Sequence, residues 1–239
     1  MTLYIISVPI GHPDDITLRA IETFKSVDFL ICEEFKEGRK LLKRLHIQKE
    51  LMNINEHTEV NEIDEIIRML KEGKDGALFA DCGTPLFADP GIQLVNRCHA
   101  AGIPVRSVPG ASSLTSALSV AGVPLDQFYY AGFLPRNSPE RRKEIRRLKR
   151  FACTIIIYDT PYRLVALLED LKIELADKRS FVLLLSLTKK DEEIQRGNLS
   201  EILKEVKKRK IKKEFVLIIE PIRVPLCPKK KHARSRKRG

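Results

Sequence analysis

The sequence lacks the short motifs that mark several large enzyme classes. Its five cysteines (Cys32, Cys82, Cys98, Cys153 and Cys227) are odd in number and include no C-x-x-C pair, so neither a disulfide framework nor a zinc site is supported, and reduced thiols in a cytosol are expected. The five histidines (His12, His46, His57, His99 and His232) are scattered without ligand spacing, and H-E-x-x-H is absent, so no metal is expected. Neither G-x-G-x-x-G nor G-x-x-x-x-G-K-[ST] occurs, which disfavours the usual dinucleotide and nucleoside-triphosphate enzymes, and no G-x-S-x-G nucleophile elbow is found. Long apolar runs are missing too. The longest, Phe181 to Leu187, falls far short of the roughly 18 residues of a membrane helix. The opening MTLYIISVPIG has no basic leader and is broken by Pro9 and Gly11, so it reads as a first strand, and a cytoplasmic protein without membrane association is expected. There is no internal repeat.

Positive charge is plentiful but uneven. Across 239 residues, 43 Lys+Arg face 32 Asp+Glu, a net charge of +11. Eight basic residues and no acidic one lie from Arg223 onward, KKRKIKK spans Lys207 to Lys213, and Arg136 to Arg150 holds eight basic residues against two acidic. The remainder is mildly acidic. Basic surfaces confined to the C-terminal half suggest a polyanionic partner, most often nucleic acid. A hydrophobic fraction of 43% and this length suit one large domain or two small ones.

Apolar runs bounded by Gly, Pro or Asp predict strands at Leu3–Val8, Val27–Cys32, Gly76–Asp81 and Ile103–Val108. Amphipathic segments predict helices at Ile16–Lys25, Glu37–Leu45, Glu59–Lys71, Pro90–Ala101 and Ala111–Val120, with Asp15-Ile-Thr-Leu as one start and Asp89 capping another at Pro90. After Gly122 to Pro124 the texture changes: strands are expected at Gln127–Leu134, Thr154–Asp159, Ser180–Leu187 and Glu214–Glu220, helices at Glu140–Arg150, Arg163–Leu175 and Leu199–Lys210. The alternation in the first half implies a mostly parallel sheet covered on both faces, and the chain as a whole reads as α/β. Two α/β lobes are predicted, at 1–121 and 122–222, followed by a basic disordered tail at 223–239.

Three Gly- and Pro-rich loops follow predicted strands: SVPIGHPDD, ADCGTPLFADPG and VPGASS. In an open α/β sheet, ligands bind beyond the carboxyl ends of the strands, so three such loops on one rim outline a pocket, although each taken singly is also an ordinary tight turn. With GFLP, IYDTPYR, SLTK and EFVLII, these runs resemble, in order, the tetrapyrrole-methylase superfamily of S-adenosylmethionine-dependent methyltransferases. The similarity covers roughly residues 2 to 220. It is strongest to the branch that methylates the ribose 2′-oxygen of a cytidine in small-subunit ribosomal RNA.

The resemblance implies S-adenosylmethionine in a cleft between two lobes, usually in a homodimer. It implies cofactor contacts from Pro9, Gly83, Thr84, Phe87, Ser112 and Ser113, with Tyr158, Leu184, Leu185 and Ser186 closing the site. Methyl transfer is an in-line displacement in which positive charge on sulfur is lost, so a water-poor lining of aligned groups suffices. The chain departs from the branch at polar positions. It reads Glu33-Glu34-Phe35-Lys36 where E-D-T-R is usual, Asp159-Thr160-Pro161-Tyr162-Arg163 for E-S-P-H-R, Ser186 for a Glu, and His12 for the Asn of G-x-P-I-G-N.

A ribose hydroxyl is a poor nucleophile and needs a base or a well-placed acceptor. Asp81, Asp89, Glu33 and Asp159 are candidates, Glu33 and Asp81 foremost, with Lys189 as an electrostatic partner; Asp89 is also a natural helix cap. Arg136, Arg141, Arg142 and Arg146 are the candidates for gripping RNA, against the plainer reading of a solvated helix face. Two rivals remain: methylation of a tetrapyrrole or other small acidic substrate, and a degenerate RNA-binding member that has lost activity.

Overall fold

A computed structural model describes residues 1–54, 59–87, 90–175 and 179–222. The expected cap Asp89 and the tail at 223–239 lie outside these residues. The first sheet is wholly parallel, in the order β3-β2-β4-β1-β5, from β1 (Leu3–Ile6), β2 (Phe29–Cys32), β3 (Glu50–Asn53), β4 (Gly76–Phe79) and β5 (Val105–Val108). Alternation along each strand builds two cores, because successive side chains of a strand point to opposite faces. Leu3, Phe29, Ile31 and Leu78 pack under α3 (Glu59–Lys71) and α4 (Ile92–Ala100). Ile6, Leu30, Cys32 and Phe79 pack under α1 (Leu18–Ser26) and α2 (Phe35–Arg44). Phe24 of α1 meets Phe79 edge-on at 5.2 Å, and burying a ring of this size contributes roughly 1.5–3 kcal/mol.

Two helix starts differ from expectation. Thr17, not Asp15, caps α1, its hydroxyl accepting from Ala20 N at 3.1 Å. Helix α4 begins at Ile92 behind Gly91, whose φ of 113° suits glycine alone, so Pro90 precedes the cap rather than opening the helix.

The second sheet is mixed. It comprises β6 (Phe128–Phe133), β7 (Thr154–Asp159), β8 (Phe181–Leu185), β9 (Glu193–Gly197) and β10 (Phe215–Ile219), in the order β6-β7-β10-β8-β9. Only β6 and β7 run parallel; β10 is antiparallel to both β7 and β8. One face is covered by α6 (Ser138–Leu148), α7 (Leu164–Leu175) and α8 (Leu199–Arg209), which bury Ile145, Leu167, Leu171 and Val206 on Ile155, Ile157, Leu183 and Leu217. Asn137 and Asn198 cap α6 and α8 through their side-chain oxygens. The other face receives Ala117, Leu118 and Ala121 of α5 (Ser113–Ala121), packed on Ile156, Val182, Leu184 and Val216. Helix α5 thus follows the first sheet in the chain but packs on the second.

Candidate active site

The carboxyl ends of β1, β4 and β5 carry the three Gly- and Pro-rich loops, and all three meet the second sheet at one rim. The loop after β1 bridges to the loop after β4: Val8 N donates to Gly83 O at 2.9 Å. Ser7 Oγ and Thr84 Oγ1 lie 2.9 Å apart, and Thr84 Oγ1 donates to Ala111 O at 3.1 Å, which ties in the loop after β5. Gly83 has a φ of 75°, and a Cβ there would come within 3.0 Å of Ile10 Cγ2, so the turn that brings these two loops together calls for glycine.

Between the lobes lies a cavity of about 260 Å³. Its first-lobe wall is Ile10, Cys82, Gly83, Thr84 and Phe87, with Ser112 and Ser113 at the start of α5. Its second-lobe wall comes from strand ends: Phe133, Tyr158 and Asp159, then Leu187, and Glu214 to Val216 at the start of β10. Because β10 runs antiparallel, its first residues reach the rim where β7 and β8 end. Tyr130 and Phe133 are three residues apart, yet both rings contact Tyr158, at 5.1 and 6.2 Å; a bulge between Tyr130 and Gly132, with Gly132 at φ 62°, resets the alternation. Phe87 joins this aromatic group at 6.0 Å from Tyr130. The Tyr158 hydroxyl is paired with Ser113 Oγ at 2.7 Å, and burial raises its pKa to about 12, so it stays protonated at neutral pH.

A second cavity of about 330 Å³ adjoins the first through Ile10, Cys82 and Glu214. It is lined by Pro9, Gly11 and Pro13, by Glu37, Lys40, Leu41 and Arg44 of α2, and by Asp81 and Lys189. Asp81 accepts from Glu34 N at 3.3 Å, and its carboxyl is pushed above the usual range, chiefly by burial and further by Glu34 and Glu37. The first lobe touches the second closely here: His12 N donates to Thr188 Oγ1 at 2.8 Å, and a Cβ on Gly11 would lie 2.5 Å from Leu187 O.

The residues expected at the site divide accordingly. Gly83, Thr84, Phe87, Ser112, Ser113 and Tyr158 line the first cavity, while Pro9 and Asp81 line the second. Glu33 lines neither cavity, and its carbonyl accepts from Asn53 Nδ2. Leu184 and Leu185 depart from expectation, since both side chains are buried within the sheet; Leu185 faces α6–α8, away from the cleft, and Leu187 supplies the wall instead. Ser186 is also buried, donating to Asp191 Oδ2 at 3.2 Å from a backbone at φ 51°; it shapes the loop and does not line the cavity. The basic helix α6 is largely committed to its neighbours. Arg141 is withdrawn from solvent, its side chain 5% exposed beside Asp170 at 8%, with an N···O distance of 2.6 Å. It also donates to Pro135 O and Arg136 O, which corrects its assignment as a phosphate contact. Arg142 and Arg146 share Glu174 at 2.7 Å each, and Arg136 is exposed.

Asp159, one of the four candidate bases, belongs to the wall of the first cavity. Its side chain is fully buried; Oδ1 accepts from Thr160 N at 2.7 Å and faces Arg163 Nε at 3.2 Å, while Oδ2 has no hydrogen-bond partner among the described residues. Burial raises its pKa above the carboxylate range. The aromatic wall of Phe87, Phe133 and Tyr158 and the hydroxyls of Thr84 and Ser113 together fit a ligand with both a flat ring and polar groups. Among the described residues no cluster of side chains is set to hold a metal ion, and no helix is long and apolar enough to cross a membrane.

Comparison with known proteins agrees with this arrangement. The chain is 39% identical over 219 residues to a ribosomal RNA small subunit methyltransferase I of Micromonospora olivasterospora, a match covering 91% of this chain and 70% of the relative. It is 37% identical over 217 residues to the protein of the same name from Thermotoga maritima, covering 91% and 97%. Among solved structures, a diphthine synthase superposes with a TM-score of 0.69 at 14% identity, covering 92% of this chain and 89% of that one. The methyltransferase CobJ gives 0.68 at 17%, covering 93% and 96%. These two likenesses concern the fold. The profile of the Tetrapyrrole (Corrin/Porphyrin) Methylases matches residues 2–203, a span holding all three rim loops and the aromatic wall, and the chain belongs to that family.

Proposed function

We propose that this protein is an S-adenosylmethionine-dependent methyltransferase acting on the ribose 2′-hydroxyl of a cytidine in small-subunit ribosomal RNA. The observation that carries this reading is the pair of joined cavities. One is aromatic and suited to a cofactor; the other is lined by the cations Lys40, Arg44 and Lys189 and by the carboxylates of Asp81 and Glu37. The relatives named for small-subunit ribosomal RNA support the substrate over a tetrapyrrole.

When bound, the cofactor supplies an electrophilic methyl group on a sulfonium. In this reading Ser112, Ser113 and Thr84 offer hydroxyls and amides, and Phe87, Phe133 and Tyr158 exclude water. Asp81 accepts the proton of the ribose hydroxyl at the junction of the cavities; its raised pKa brings it nearer to that task than an ordinary carboxylate. Lys189, ion-paired with Glu214, offsets negative charge at the same junction. Cytoplasmic location and a homodimer are part of the same proposal, and the resemblance to the family supports them. Mapping ribose methylation in ribosomal RNA from cells with and without the gene tests the function. Loss of one cytidine 2′-O-methylation is expected, and an unchanged map refutes the proposal.

A further inference from the structure

Helix α2 carries Lys36, Arg39, Lys40, Lys43 and Arg44, all exposed. Gly38 and Leu42 face the core, so Lys36, Lys40 and Arg44 fall one turn apart along a single ridge, with Arg39 and Lys43 beside it. Lys40 and Arg44 line the second cavity, and Lys189 faces it from the other lobe. Lys40 is paired with Glu37 at 3.2 Å and Arg44 with Asp14 at 2.8 Å, both exposed contacts of the kind that exchange readily for a phosphate. No ion pair engages Lys36, Arg39 or Lys43 among the described residues, and Arg39 lies over the Phe35 ring at 5.3 Å. In α6, by contrast, Arg141, Arg142, Arg146 and Arg147 are all held by carboxylates.

We propose that the α2 ridge is the wall that binds the RNA backbone, laying a single strand across the second cavity. This rests on the reading of the enzyme as an RNA ribose methyltransferase. The lining supports it: Lys40, Arg44 and Lys189 share the second cavity with the carboxylates of Asp81 and Glu37, so phosphates are drawn to the cations while a ribose hydroxyl finds an acceptor beside them. Charge that looked confined to the C-terminal half therefore has a counterpart on the first lobe, hidden in composition by Glu33, Glu34 and Glu37 beside it.

The test is the triple variant Lys36→Gln, Arg39→Gln, Lys43→Gln. Its affinity for a small-subunit ribosomal RNA fragment is measured across potassium chloride concentrations, alongside methyl transfer and calorimetric cofactor binding. Each lost single-strand phosphate contact lowers the salt slope by ~0.7, so the triple variant is expected to lose roughly two units of slope and about one to two orders of magnitude of RNA affinity at physiological salt. Cofactor affinity stays at the wild-type value. The charge-retaining variant Lys36→Arg, Arg39→Lys, Lys43→Arg behaves as wild type, and the single variants Lys36→Gln and Lys43→Gln each lose about 0.7 of slope should the triple fail to fold. An unchanged slope and KM overturn the α2 assignment while the proposed activity stands, as does a larger loss from Arg142→Gln with Arg146→Gln. A wild-type protein that neither binds nor methylates the RNA overturns both.

Discussion

Tyr158 Oη lies 2.7 Å from Ser113 Oγ, joining the end of β7 to the first turn of α5 at the wall of the aromatic cavity. The contact sets the ring against Tyr130 and Phe133 and holds the α5 amides toward the same space.

Tyr158→Phe keeps the ring and removes the bond. A hydrogen bond of this kind contributes about 0.5–1.5 kcal/mol to the fold, so the thermal midpoint is expected to fall by about 1–6 °C, and cofactor affinity by calorimetry to fall by up to roughly 10-fold as the start of α5 loosens. Equal affinity in both proteins refutes a role for the pair in cofactor binding.

Asp81→Asn removes the acceptor but not the shape. Methyl transfer is expected to fall about 10²- to 10⁴-fold while cofactor affinity holds. In the wild type the rate rises with pH through the raised carboxyl pKa, since only the ionised form takes a proton, and the variant lacks that acid limb. Glu33→Gln, at a position lining neither cavity, is expected to retain far more activity; the reverse ranking in single-turnover assays assigns the proton acceptor to Glu33.

Arg141→Ala strands Asp170 in the interior. Breaking a buried pair costs about 3–5 kcal/mol, which for a domain of this size lowers the thermal midpoint by about 6–20 °C. RNA affinity of the folded variant is expected to remain near wild type, because the guanidinium is bound to Asp170 and to backbone carbonyls. A stable variant with weakened RNA binding contradicts the structural role.

Gly11→Ala puts a methyl group 2.5 Å from Leu187 O and 2.6 Å from Thr188 Oγ1. The loops of the two lobes must separate by several tenths of an ångström. Since the cavities meet at Ile10, kcat/KM is expected to fall by at least 10-fold, as misplacement on the ångström scale costs up to about 10². An unaltered kcat/KM shows that the lobe junction tolerates the shift.

Most elements were legible because apolar periodicity reports burial directly. All eight expected strands and the eight helices stand within a few residues of their predicted bounds. Strands β3 and β9 escaped notice because both are edge strands with polar sequences, ELMN and EIQRG, that bury little. The antiparallel course of β10 left no mark either, since FVLII reads alike in both directions. At the site, loop texture located Gly83, Thr84 and Ser113, whereas Leu187 and Glu214 needed the three-dimensional ends of the second sheet. Arg141 was misread for a related reason: its helix shows a row of charges, and Asp170 lies 29 residues away.

The packing of α5 on the second sheet also bears on how the chain is made. The first sheet ends at Val108 and can close as soon as it leaves the ribosome, but α5 has no apolar surface to meet until β7, β8 and β10 have followed it out. Ser112 and Ser113 therefore take their final places only after Val216, so a nascent or truncated chain lacking that strand holds a finished first lobe without a finished pocket.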